Sequence, residues 1–92
     1  MVTRYLRNPD VVLREEDEDG GLLFNPDTNQ IKVINSTGIF IWQECNGNQD
    51  VLAIVKALRD AFEDVPEDQV TDQVCEFLEE MATSGFIGVV EI

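Results

Sequence analysis

The side chains able to do chemistry here are two cysteines, Cys45 and Cys75, and nineteen carboxylates; there is no histidine. That removes the commonest general base and metal ligand. Cys45 follows Glu44 and Cys75 precedes Glu76, neighbours that oppose a thiolate rather than hold one. The two cysteines form no CxxC pair and read as buried, reduced thiols. Glu15, Asp17 and Asp19 alternate ahead of Gly20 as in a calcium loop, but the position that needs a bidentate glutamate falls on Pro26. A solvated hairpin tip is the better reading. No glycine-rich loop follows a strand and opens a helix to cradle phosphate. Catalysis is not expected, and neither is a metal or a cofactor.

Charge narrows the partners. Six bases against nineteen acids leave −13, and beyond Arg59 there are ten acids and no base. Affinity for DNA comes largely from Lys and Arg at phosphates. An acidic chain with no basic stripe is a poor binder of nucleic acid or anionic membrane. No apolar run approaches the ~20 residues that span a bilayer. The first seven residues carry no apolar signal core, so the expected location is cytoplasmic.

The elements that would position a site follow from turns and periodicity. Residues 1–10 read as an extended lead-in, with Pro9 opposing a helix. Strands expected over 11–15, begun by Val11, Val12 and Leu13, over 22–24 and over 31–34 are separated by Asp19-Gly20-Gly21 and by Asn25-Pro26-Asp27-Thr28-Asn29. Two tight turns in succession predict a three-stranded antiparallel meander, the glycines supplying positive φ. Asn35, Ser36 or Thr37 can cap a central apolar helix over 39–45, with Gly47 or Asn46 as its C-cap. Asp50 caps a second helix, striped by Val51, Ile54, Val55, Leu58 and Phe62. Residues 64–66 separate it from a third, in which Pro66, Glu67 and Asp68 suit the first turn. That helix sets Val70, Val74, Phe77, Leu78 and Met81 against Asp72, Glu76, Glu79 and Glu80 and stops at Ser84-Gly85. The expectation is one α+β domain over residues 1–92, its core over about 8–87, with a short extended C-terminal tail.

A meander has two edges, and an edge strand offers unpaired N–H and C=O groups to an extended peptide. If sheet order follows chain order, Ile31, Lys32, Val33 and Ile34 form such an edge. Ile31 and Val33 share one face, Lys32 and Ile34 the other. Which face meets the core stays open, as does whether the third helix covers the edge. The open edge and the apolar tail both leave room for a homodimer.

These pieces together resemble the PqqD-like family: pyrroloquinoline quinone (PQQ) biosynthesis protein D and the recognition elements of ribosomally made, post-translationally modified peptides (RiPPs). The matching segments are R-N-P-D-V-V-L-R-E-E-D at 7–17, G-G-L-L-F-N-P at 20–26 and I-N-S-T-G-I-F-I-W at 34–42. They continue with N-G at 46–47, V-x-x-I-V-x-x-L at 51–58, V-x-x-F-L-x-x-M at 74–81 and S-G-F-I at 84–87. The chain departs from the family at Asn46, where Asp often precedes the glycine, and in its longer tail. The resemblance implies a winged-helix-like fold of three strands and three helices. It implies a non-catalytic chaperone that binds the leader segment of a precursor peptide by strand addition. The leader is then presented to a modifying enzyme, often a radical SAM enzyme. Carried onto this chain, the peptide-binding residues are Ile31, Lys32, Val33 and Ile34, with Gln73, Val74, Phe77 and Leu78 on the third helix. Trp42 and Ile39 read as core. The competing reading, a winged-helix nucleic-acid-binding regulator, is disfavoured by the charge of −13.

Overall fold

The computed structural model describes residues 3–62 and 67–91. Its elements are β1 Thr3–Arg7, β2 Val12–Asp17, β3 Gly20–Asn25, β4 Gln30–Asn35, α1 Ser36–Gln43, α2 Val51–Ala61, α3 Glu67–Thr83 and β5 Ile87–Glu91. β2, β3 and β4 form the antiparallel meander, in chain order. α1 packs on β3 and β4, α2 on α1 and α3, and α3 on β5.

Both ends of the chain differ from the reading of the sequence. The lead-in and the tail are not loose ends: they pair with each other as β1 and β5, in register from Thr3 with Glu91 to Arg7 with Ile87. The ribbon is fastened to the domain along the far side of β1. Arg7 N–H donates to the carbonyl of Cys45, and Gly47 N–H to that of Tyr5, each at 2.8 Å. The Trp42 indole N–H donates to the Phe86 carbonyl at 3.2 Å. Arg7 also stacks its guanidinium over the Trp42 ring, 5.7 Å from the centroid. The apolar tail thus has its partner inside the same chain, and the core reaches out to Tyr5.

The first hairpin turn is built differently from the expected positive-φ glycine turn. Glu18 and Asp19 make the turn, while Gly20 and Gly21 lie within β3. Neither has positive φ; among described residues only Asn29, Gly47 and Gly85 do. The two glycines are required by close approach instead. A Cβ on Gly20 would lie 2.2 Å from the Ile34 carbonyl oxygen, and one on Gly21 2.2 Å from that of Arg14. The turn is fixed by Asp17, whose carboxylate accepts from the N–H of Asp19 at 2.8 Å and of Gly20 at 3.2 Å. At the second turn the Asn25 side chain accepts from the Asp27 N–H at 3.0 Å, and Asn29 takes the left-handed residue.

Helix ends follow their caps. The Asn35 side chain accepts from the Gly38 N–H at 2.8 Å, so α1 starts at Ser36, earlier than its apolar run suggests. It ends at Gln43, and Gly47 turns the chain only after Asn46 has bridged to Leu6. Asp50 caps α2 by accepting from the Ala53 N–H at 2.9 Å. Gly85 ends α3 with φ +83: its N–H donates to the Ala82 carbonyl and the Phe86 N–H to that of Met81, the Schellman pattern. The separator at 64–66, and with it the place of Pro66, lies outside the described residues.

Leu23, Ile54, Val74, Leu78, Met81, Phe86 and Cys45 are sealed in the core, with Ile39 and Trp42 buried beside them. Burial at about 25 cal/mol per Å² makes this cluster the main source of stability. It also clamps α1 and α3 onto one face of the meander, leaving the other face and the β4 edge open.

Candidate functional site

Among the described residues, β4 is hydrogen-bonded to β3 and to no other strand. The register with β3 decides which of its backbone groups are engaged. Asn35 lies across from Gly20, and next to that pair the Ser36 N–H donates to the Asp19 carbonyl at 2.9 Å. Opposed pairs in an antiparallel ladder alternate between bonded and non-bonded. Ile34, Lys32 and Gln30 therefore turn their N–H and C=O toward β3, while Ile31 and Val33 turn theirs away from the sheet. No described group bonds them there.

The side chains alternate as well. Ile31 and Val33 are 62% and 82% exposed, large values for apolar residues, while Ile34 is buried. The question of faces is thereby resolved: Ile34 and Lys32 face α3, and Ile31 and Val33 face outward. The outer face carries the rows Val12–Phe24–Ile31, apolar on all three strands, and Arg14–Leu22–Val33, apolar on β3 and β4 only. Isolated exposed apolar residues mean little, but a contiguous group on one face marks an interaction surface.

On the inner side, β4, α1 and α3 converge at Gly38. A Cβ there would come within 3.2 Å of the Ile34 Cβ and 3.3 Å of the Phe77 ring. One turn along α3, Glu80 forms an ion pair with Lys32 across the gap between helix and strand. Gln73, exposed, stands one turn before Phe77 on the same side of the helix. Val74 and Leu78 are 1% and 0% exposed and face the core. Of the eight residues singled out in the sequence, Ile31, Val33, Gln73 and Phe77 reach a surface that a second chain could touch. Along the seam between β4 and α3, hereafter the groove, Lys32 crosses to Glu80, Ile34 is buried, and Val74 and Leu78 lie in the core behind.

Catalytic groups do not gather here. Burial pushes the Cys45 thiol up to about 12, with Arg7 partly opposing and Glu44 adding to the shift, and the thiol donates to the Ile41 carbonyl. Cys75 is raised as well, by burial and then by Glu79 and Asp72. A neutral thiol is a poor nucleophile. Iodoacetamide at pH 8 is expected to label Cys75 first and to reach Cys45 only after denaturant unfolds the chain, as read by mass spectrometry of the intact protein. An unfolded thiol ionises from about pH 8.5, whereas folded Cys45 keeps its proton to about 12. Its contribution is thus whole below that window and is lost as pH rises through it. Among the described residues no group of three His, Cys, Asp or Glu could hold a metal ion, and no helix is long and apolar enough to cross a membrane.

The family model of coenzyme PQQ synthesis protein D (PqqD) matches residues 20–87, from the start of β3 to the start of β5. The chain belongs to the PqqD family. The PqqD match contains β4, α1, α2 and α3, every element that builds the groove. Among solved structures the domain is similar to TbiB1 in complex with the TbiA(beta) leader peptide. The TM-score is 0.73 at 21% identity, over 89% of this chain and 93% of that one. At that identity the likeness is one of fold: a compact α+β domain with a three-stranded antiparallel sheet followed by helices. No curated protein matches the chain.

Two parts of this PqqD-family groove escape a reading of the sequence. By pattern Glu80 belongs with the solvated acids of α3, and Gly38 is an ordinary residue of an apolar helix. The i, i+3 spacing of Phe77 and Glu80 is visible in the chain, but nothing in the sequence places Lys32 opposite it.

Proposed function

We propose that this PqqD-family chain is a non-catalytic peptide-binding chaperone. It takes up the leader segment of a ribosomally made precursor peptide by strand addition along β4 and presents it to a modifying enzyme. A radical SAM enzyme in PQQ or other RiPP biosynthesis is the partner we favour, with a cytoplasmic setting. The observation that carries the reading is the outward-turned backbone of Ile31 and Val33, flanked by their own exposed side chains. Main-chain bonds there would supply affinity, and alternate side-chain pockets would supply selectivity. The TbiB1 structure, solved with a leader peptide, lends support through its shared fold. Nucleic acid is a poor alternative, because α3 turns Asp72, Glu76, Glu79 and Glu80 to solvent and Lys32 is already paired.

The test is a titration of ¹⁵N-labelled protein with the leader of a precursor peptide encoded beside its gene. Saturable shifts are expected on Ile31, Val33, Asn35, Gln73 and Phe77. Absence of saturation, or shifts centred on the β1–β5 ribbon, would remove the proposal.

A further inference from the structure

The β4 edge is not electrically even along its length. At its Asn35 end lies a shallow depression of about 350 Å³, formed where β3 carries glycine instead of a side chain. Gly20, Val33 and Asn35 line it together with Glu16, Asp17 and Asp19 from the hairpin tip. The Asp17 carboxylate is held by two backbone N–H groups. Glu16 lies 3.6 Å from the Arg14 guanidinium, with both side chains at least half exposed, so that base is loosely engaged. Glu18 adds a further exposed carboxylate. Further along the strand the same face is apolar, with Val33 and then Ile31.

We infer that the peptide taken up along β4 carries a Lys or Arg two residues ahead of a pair of alternating apolar residues, in the order base–x–apolar–x–apolar. This rests on the strand-addition reading above and specifies its substrate. All strand neighbours in the meander are antiparallel. A peptide continuing that arrangement has its N-terminal end beside Asn35. Residues directly across a ladder share a face. Peptide residues across from Val33 and Ile31 therefore extend the apolar outer face by one more row. The residue across from Asn35 falls on that same face, beside the depression and its acids. A cation matches this position and a carboxylate is repelled by it. A second copy of the chain does not fit the edge: its net charge is −13, and its own β4 reads I-K-V-I-N, with no base ahead of the apolar pair.

A phage-displayed library of random dodecapeptides, panned on the full chain at low salt, tests this whatever the sequence of the leader. The expected result is enrichment of base–x–apolar–x–apolar. An enriched peptide is then measured by fluorescence polarisation against the parent and the Glu16→Gln/Asp19→Asn variant. Both carboxylates are exposed, so the variant is expected to melt with the parent. Its affinity is expected to fall about two- to tenfold, the range for one or two exposed charge pairs. The peptide with Gln in place of its base should bind both proteins alike, and its binding should not weaken as salt rises. Enrichment of alternating apolar peptides without the base, enrichment of the reversed order, or indifference of the basic peptide to the variant overturns the inference and leaves strand addition standing. Failure to enrich any peptide overturns strand addition, and this inference with it.

Discussion

Val33→Pro is expected to weaken peptide binding at least tenfold while leaving the domain folded. The Val33 N–H points away from the sheet, so proline removes no internal hydrogen bond, and edge strands tolerate proline in that orientation. An added strand would lose a main-chain bond worth about 0.5–1.5 kcal/mol and meet the pyrrolidine ring as well. Affinity should fall at least tenfold to a hundredfold, roughly 1.4–2.8 kcal/mol. Lys32→Pro is the contrast. Its N–H points to β3, and its side chain holds Glu80, so the same substitution one residue earlier should unfold or strongly destabilise the chain. Fluorescence polarisation with a labelled leader peptide and thermal circular dichroism separate the two outcomes. Undiminished binding by Val33→Pro would show that the peptide does not use this edge.

Leu78→Ala is expected to cost about 2–5 kcal/mol of stability, the range for truncating a sealed core leucine. For a domain of this size each kcal/mol moves the melting temperature by about 4–8 °C, so the loss is easily seen. Gln73→Ala, one turn and a residue earlier on α3, should leave stability within about 0.5 kcal/mol because its side chain is in solvent. It should nevertheless weaken peptide binding by removing a polar contact on the groove wall. If Leu78→Ala left the melting curve in place and lowered affinity instead, α3 would have to present Leu78, not Gln73, to the groove.

That pair of residues also shows how far the sequence can be read. Helical spacing places Val74, Phe77 and Leu78 on one broad face of α3, because residues three and four apart are neighbours. Spacing does not say where on that face the core ends and the groove begins. That boundary is set by α1, which brings Gly38 against Phe77. The hairpins are legible because Asx and glycine turns act over a few residues. The reason for Gly20 and Gly21 is not, since their need for a bare Cα comes from carbonyls on neighbouring strands. Parity on β4 is legible as a choice between two faces, and burial of Ile34 decides it. The β1–β5 pairing leaves no local mark: Thr3–Arg7 mixes charge with Tyr5 and Leu6, and its partner lies at the far end of the described chain.

The β1–β5 ribbon also bears on the order in which the domain assembles. Closing a loop costs about 0.6 kcal/mol more for each doubling of its length. From the two-residue hairpin turn to the span joining Arg7 to Ile87 is roughly five doublings, a difference on the order of 3 kcal/mol. The meander strands are joined by short turns, whereas the ribbon is expected to close after the core has brought together Cys45 and Phe86, whose carbonyls accept from Arg7 and Asn8. Refolding is therefore expected to form the β4 edge before the ribbon. Mutations in the ribbon, such as Tyr5→Ala, should then speed unfolding far more than they slow folding.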